Sequence, residues 1–214
     1  MKSDFLFTNV KAIFFDTADT LYFSEEMESA YHRKLAELLQ ATRNISYAEA
    51  ASLLKETAQK LKGKGVVKHV TKVRTMAELG FTRAQVHEAF CKVNPKEFLG
   101  VDKELDSVMA RLAEKYKLGI ISNFKRSHIF EILSSLGLSP DWFPLLVTED
   151  VVKEIKPDHE PFLKAIELSG YTAQECVYVG DSPTKDMQPA REVGMVTVLV
   201  GDSLPDEYGS YIDA

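Results

Sequence analysis

The sequence predicts an α/β protein whose core is a doubly wound, largely parallel sheet. Three observations carry that prediction. Short apolar runs recur along the chain, amphipathic helical patterns separate most of them, and residues 23–92 carry helical patterns alone.

The first apolar run is KAIFF at residues 11–15. It is followed by LGII at 118–121, LLV at 145–147, CVYV at 176–179 and VTVLV at 196–200. Each is rich in β-branched or aromatic residues and bounded by polar residues or glycine. Continuous apolar runs this short suit strands buried on both faces, as in a parallel sheet, and are too short for buried helices. Between them Leu105, Val108, Met109, Leu112 and Ala113 recur at helical spacing. So do Ile129, Ile132, Leu133 and Leu136, closed by Gly137, and Phe162, Leu163, Ile166 and Leu168 before Gly170. Strands alternating with amphipathic helices build βαβ units.

The stretch after the first run breaks the alternation. Tyr31, Leu35, Leu38 and Leu39 form one stripe. Ser46 with Glu49 has the spacing of a capping box ahead of Ala50, Leu54, Ala58 and Leu61. Gly80 ends a third pattern, and Thr82 with Gln85 opens a fourth. The spacing predicts a helical domain over 23–92 inserted into a core of residues 1–22 and 93–214. The segment LKGKGVVKH, residues 61–69, is its most loop-like part.

Composition narrows the function. The 214 residues carry a formal net charge of −6, with 45% hydrophobic and 27% charged residues. That balance suits one sizeable core and excludes wholesale disorder. An acidic chain without a long Lys/Arg run is poorly suited to a phosphate backbone, so no nucleic-acid partner is expected. No apolar run reaches the roughly 18 residues needed to span a bilayer, so no membrane partner is expected. The first ten residues lack the pattern of a signal peptide. Cys91 and Cys176 are far apart and suit reduced thiols in the cytoplasm. The expected partner is a small molecule, and the expected assembly a monomer or homodimer.

In open parallel sheets ligands bind at the carboxyl ends of the strands. After the first run come Asp16, Thr17, Ala18, Asp19 and Thr20. After the second come Ser122 and Asn123. Lys156 follows the third by a short loop, and Gly180, Asp181, Ser182 and Asp186 follow the fourth. One nucleophilic carboxylate, one hydroxyl, one ammonium and two further carboxylates thus converge. A carboxylate can attack phosphorus covalently, dividing one hard step into two easier ones. A dianionic phosphate repels it unless positive charge intervenes, and Mg2+ held by a few oxygens supplies that charge. Asp16 and Asp181 are the natural ligands, while Lys156 and Ser122 can hold the remaining phosphate oxygens. Asp186 is a further acid of the metal site, a hydrogen-bonding partner within it, or a surface residue.

These segments resemble the four motifs of the haloacid dehalogenase-like superfamily. FFDTADTL resembles the first, with Asp16; ISN the second, with Ser122; IKPD the third, with Lys156; and GDSPTKD the fourth, with Asp181 and Asp186. Order and spacing match across nearly the whole chain. The resemblance implies a Rossmann-like core with an α-helical cap that closes over the active site. It implies Asp16 as nucleophile, Lys156 and Ser122 as catalytic partners, and Ser122, Asn123 and Lys156 as substrate-binding residues. It also implies Mg2+ bound by Asp16, the backbone carbonyl of Ala18 and Asp181, with Asp186 beside them.

One position departs from the family pattern. Phosphatases of the superfamily carry a second Asp, the general acid and base, where this chain has Ala18. Asp19 lies one residue on and is not a replacement. Loss of such a group costs on the order of 10²–10⁴ in rate. Three readings follow: a phosphatase for substrates with good leaving groups, a phosphonate hydrolase similar to phosphonoacetaldehyde hydrolase, or a catalytically weak relative that binds a phosphorylated ligand or a protein. The second would need a lysine from the insertion, such as Lys34, Lys55, Lys62, Lys64 or Lys68. A dehalogenase is disfavoured because GDSPTKD keeps its acids. The five histidines form no ligand spacing and read as surface or helix residues, with His69 a candidate substrate contact. Trp142 reads as local packing.

Overall fold

A computed structural model describes residues 9–63 and 70–201 of the chain. The readings placed on Lys64, Lys68 and His69 lie outside the described residues. The described chain divides into two compact units. One comprises the residues up to Phe23 and from Leu99 onward, the other Ser24–Phe98.

The first unit is a five-stranded parallel sheet with helices. Its strands are β1 (Ala12–Phe15), β2 (Lys117–Ile121), β3 (Leu145–Val147), β4 (Cys176–Gly180) and β5 (Val196–Leu199), in the order β3-β2-β1-β4-β5. All five fall on the apolar runs, as strands buried on both faces require. β1 is central. Ala12 pairs with Lys117 on one side and with Cys176 on the other, and the ladders run on to Phe15 opposite Ile120 and Val179.

Phe14, Ile121, Val147, Phe162, Ala165, Tyr178 and Met187 belong to a buried apolar cluster of this unit. The Phe162 and Tyr178 rings meet edge to face with centroids 5.0 Å apart, the arrangement aromatic quadrupoles favour. Each large apolar side chain buried there contributes on the order of 1.5–3 kcal/mol. The apolar run LGII contains a glycine for a steric reason. A Cβ at Gly119 would lie 2.5 Å from the Phe14 ring and 2.6 Å from the Leu145 carbonyl oxygen.

The second unit contains α1 (Glu25–Arg43), α2 (Tyr47–Gly63), α3 (Lys72–Glu78) and α4 (Arg83–Phe90). Caps define their starts. Ser24 accepts from the Met27 N–H, Ser46 and Glu49 bond reciprocally, and Thr82 with Gln85 forms a full capping box. Two boundaries differ from the sequence reading. Residues 61–63 continue α2 instead of opening a loop, because Leu61 falls on the buried stripe of Ala50, Leu54 and Thr57. The unit also runs past residue 92. Val93 and Pro95 are both buried, and Asn94 caps the 3-10 turn Pro95–Glu97.

The remaining helices, α5 (Lys103–Ala113), α6 (Arg126–Leu136), α7 (Glu160–Ser169) and α8 (Gln188–Glu192), belong to the sheet unit. No helix among the described residues is long and apolar enough to cross a membrane. Neither cysteine forms a disulfide.

Candidate active site

Because β1 is flanked by β2 and β4, the residues leaving these three strands meet at one edge of the sheet. Asp16 follows β1, and its N–H still donates to the Val179 carbonyl at 2.9 Å. The Asp16 side chain turns back so that Oδ1 accepts from the Thr17 N–H at 2.7 Å. Thr17 Oγ1 in turn lies 3.1 Å from Ser122 Oγ. Ser122 is held in place by its own N–H, which donates to the Val147 carbonyl at 2.9 Å.

Lys156 enters from the loop after β3 and is only 1% exposed. Its Nζ lies 2.9 Å from Asp16 Oδ1, 2.8 Å from Asp186 Oδ1 and 2.7 Å from the Tyr178 hydroxyl. The Tyr178 O–H donates onward to Asp186 Oδ1 at 2.9 Å. A buried ammonium is tolerated only when its donors are met in this way. Asn123 sets the backbone beneath it. Its Oδ1 accepts from the Lys156 N–H and its Nδ2 donates to the Lys156 carbonyl, both at 2.9 Å. Both ends of the Asn123 amide are therefore engaged by Lys156, which makes Asn123 a positioning residue in this geometry.

The fourth segment supplies Asp181, Lys185 and Asp186. Asp186 is 0% exposed, so it is not a surface residue. Its Oδ1 takes Lys156 and Tyr178, and its Oδ2 accepts from the Ser182 N–H at 3.2 Å. Gly180 makes room for it, since a Cβ there would sit 2.9 Å from Asp186 Cβ. Lys185 lies on the π-helical turn Pro183–Met187. Its Nζ is 3.0 Å from Asp16 Oδ2, 3.5 Å from Asp181 Oδ1 and 3.6 Å from Asp186 Oδ2.

Asp16, Asp181 and Asp186 each offer an oxygen within 4.8 Å of the others. Asp16 Oδ2 and Asp181 Oδ1 are buried and form no aligned hydrogen bond. Hard oxygens with lone pairs to spare are what Mg2+ takes, so the donor set fits that ion. The electrostatics differ between the acids. Burial works against the charge of Asp16, but the ammoniums of Lys156 and Lys185 override it and hold its pKa at about 2. Burial dominates at Asp181, and the neighbouring Asp186 and Asp16 add to it, raising its pKa to about 6. Burial also opposes the charge of Lys185, yet the three carboxylates hold its pKa well above the usual lysine range. Burial, with Asp186 and Asp16 behind it, likewise keeps the Tyr178 phenol well above its ordinary value.

Ala18 presents only a methyl group. Its backbone forms a bridge with Tyr22, and the Asp19 N–H donates to the Tyr22 carbonyl at 2.8 Å. Asp19 takes a left-handed backbone conformation with φ of 59° and is exposed, so its carboxylate does not join the buried cluster. Sequence reasoning missed Lys185, Tyr178 and Thr17. Lys185 had a readable signal, because it stands four residues after Asp181, the spacing at which helical side chains pair. Tyr178 had a weaker one, since a tyrosine in a fully buried strand requires a partner for its hydroxyl.

Several other residues singled out in the sequence belong to the helical unit. Within the helical unit a cavity of about 560 Å³ is lined by Arg33, Tyr47, Lys55, Lys62 and Lys72 among others. Lys72 forms an ion pair with Glu28, and Lys34 pairs with Glu37 at 2.8 Å. His87 and His128 are buried helix residues, while His32 and His159 are exposed. Trp142 packs locally, its indole N–H donating to Asp106 Oδ1 at 3.1 Å.

A parallel sheet that gathers a buried aspartate, a lysine bound to it and an acid cluster at its carboxyl edge is a doubly wound α/β protein with its polar groups where that class binds ligands. Comparison with known proteins names the family. The profile of the haloacid dehalogenase-like hydrolases matches residues 13–200. A glyceraldehyde 3-phosphate phosphatase of Methanocaldococcus jannaschii is 32% identical over 219 aligned positions, covering 94% of this chain and 92% of the relative. One from Methanopyrus kandleri is 26% identical, covering 89% and 84%. The crystal structure of a phosphatase of this family from Thermococcus onnurineus superposes with a TM-score of 0.67 at 26% identity, covering 92% of this chain and 90% of that one. The chain belongs to the haloacid dehalogenase-like hydrolase family.

Proposed function

We propose that this protein is a magnesium-dependent phosphatase acting on a small phosphorylated metabolite through an aspartyl-phosphate at Asp16. The supporting observation is the buried contact of Lys156 Nζ with Asp16 Oδ1 at 2.9 Å. It keeps the carboxylate ionised and puts positive charge beside the nucleophile, where a dianionic phosphate would otherwise be repelled.

In this reading an Asp16 oxygen attacks phosphorus. The new O–P bond forms as the ester P–O bond breaks, and the leaving oxygen departs with the electron pair and takes its proton from water, since Ala18 has none to give. The Lys156 ammonium and the Ser122 hydroxyl hold non-bridging oxygens, and Thr17 orients that hydroxyl. Asn123 and Asp186 position Lys156 from opposite ends. Water then attacks the phosphorus, releasing phosphate and restoring the Asp16 carboxylate. Magnesium held by Asp16, Asp181 and the Ala18 carbonyl, with Asp186 adjoining, supplies Lewis-acid neutralisation of phosphate charge. The helical unit, Ser24–Phe98, is read as the family's cap and the remainder of the described chain as its core, and the enzyme as a cytoplasmic monomer or homodimer.

The relatives named for glyceraldehyde 3-phosphate make that compound the first substrate to test. Ala18 favours a second class, substrates such as acyl phosphates whose leaving group departs without a proton. The test compares glyceraldehyde 3-phosphate, an acyl phosphate and phosphonoacetaldehyde, with and without Mg2+. Expected are activity in wild type with Mg2+, none in Asp16→Asn, and a gain of about 10²–10⁴ on poor leaving groups in Ala18→Asp. Turnover by Asp16→Asn at the wild-type rate refutes the mechanism. Turnover of phosphonoacetaldehyde alone selects the phosphonate hydrolase. Absence of any turnover, Ala18→Asp included, selects a binding protein.

A further inference from the structure

We propose that the Lys185 ammonium is a built-in counter-ion for Asp16, Asp181 and Asp186, seated where the divalent cation binds, so that the cation loads only by displacing it. The inference rests on the magnesium reading above and adds to it a residue outside that mechanism.

Among the described residues two lysines reach the acid cluster, and they are held very differently. Lys156 is 1% exposed, and its Nζ contacts Asp16, Asp186 and Tyr178 at 2.7–2.9 Å, with aligned bonds to the latter two. Lys185 is 20% exposed at its side chain, and its three carboxylate contacts stretch from 3.0 to 3.6 Å. The oxygens it faces on Asp16 and Asp181 are the two buried ones that form no aligned hydrogen bond. Lys185 therefore balances charge without satisfying those lone pairs. A compact ammonium on a flexible four-carbon stem suits such a replaceable role.

The charge count among the described residues points the same way. Three carboxylates there meet two ammoniums, which leaves one negative charge in excess. A divalent ion that replaces Lys185 brings the sum to zero. Mg2+ takes its oxygens at about 2.0–2.1 Å, so an ion held by Asp16 and Asp181 would need the oxygens that Lys185 Nζ now faces. The two cations compete for the same oxygens. In the metal-free protein Lys185 keeps the acids from repelling one another, and in the loaded protein it is driven out toward solvent.

The test titrates Mn2+, read as the free ion by electron paramagnetic resonance, into wild type, Lys185→Met and Asp181→Asn. Lys185→Met is expected to bind at least about tenfold tighter than wild type, and Asp181→Asn to lose binding. Equal or weaker binding by Lys185→Met overturns the inference while leaving the metal site in place. Failure of both wild type and Lys185→Met to bind Mn2+ overturns the magnesium reading and this inference with it. A crystal of wild-type protein with Mg2+ tests displacement without any substitution. Lys185 Nζ is expected beyond 4 Å from Asp16 Oδ2, the ion-pair limit. Nζ remaining at its 3.0 Å contact beside a bound ion overturns the inference, whatever the variant does.

Discussion

Replacing Lys156 with methionine removes the charge at the centre of the site while keeping most of its bulk. Asp16 Oδ1 and Asp186 Oδ1 then lose a partner at 2.9 and 2.8 Å, and the Tyr178 hydroxyl loses its donor at 2.7 Å. Breaking a buried pair from one side costs about 3–5 kcal/mol, because the charge left behind is uncompensated. For a chain of this size that lowers the melting temperature by roughly 6–20 °C. Trp142 is the only tryptophan and belongs to the sheet unit, so its fluorescence during urea unfolding reports on the unit that holds the site. The loss has a pH signature. Asp16 has a folded pKa of about 2 against 3.8 unperturbed. A depressed carboxylate contributes stability above its unfolded pKa and loses it as pH falls through the folded one. Wild type thus gives up on the order of 2–3 kcal/mol as pH falls from about 4 to 2, a contribution the variant largely lacks. The gap between the two proteins should be widest at pH 7 and visibly narrower by pH 3. A loss under about 1 kcal/mol, or a gap that does not change with pH, refutes the assignment of Lys156 as the main counter-charge of Asp16.

Other substitutions separate the remaining contributions. Asp181 has a raised pKa of about 6, so its charge costs stability above that pH and nothing once both states are protonated. Metal-free Asp181→Asn should therefore be more stable than wild type at pH 8 by up to about 3 kcal/mol, the advantage fading as pH falls from 6 toward 4, as urea midpoints in a chelator will show. Asp181→Ala should abolish stabilisation by Mg2+, and a melting temperature that still rises with Mg2+ in this variant would misplace the metal. Tyr178→Phe should cost about 1–2 kcal/mol, since Lys156 and Asp186 lose one shared partner and keep their direct contact. Gly119→Ala forces a methyl into the Phe14 ring and a backbone oxygen and should cost about 3 kcal/mol or more, seen as a lower urea midpoint or loss of folded yield.

The strands were legible in the sequence because each is buried on both faces, which writes it as an unbroken apolar run. The site was legible in outline because each run ends in a chemically distinctive residue: Asp16, Ser122, Lys156 by way of a short loop, and Asp181. What sequence spacing did not convey was the strand order, which decides which ends meet. Nor did it show that Asn123 is engaged by the Lys156 backbone, an arrangement that depends on two loops folding against each other. Lys185 was missed because a lysine on a turn reads as solvated. Only the fold reveals that three carboxylates surround it. The end of α2 was misplaced for a local reason, as the glycines and lysines after Leu61 masked the last turn of a buried stripe.

The central place of β1 in the sheet bears on how the chain comes to be made. β1 is translated before the other described strands, yet its two neighbours begin at Lys117 and Cys176. The second of them emerges from the ribosome about 160 residues later, which at 5–20 residues per second is roughly 8–30 s. Throughout that interval AIFF is an apolar segment without both of its ladders, and no hairpin with a nearby strand can shelter it. The helical unit is complete much earlier and has only local closures to make. Nascent chains halted at about residue 140, where the ribosomal tunnel has released Phe98 but still covers β2, should therefore contain a protease-resistant helical unit behind a β1 segment still open to cleavage and to chaperones, and the Asp16 carboxylate at the end of β1 should be among the last groups to be fixed in place.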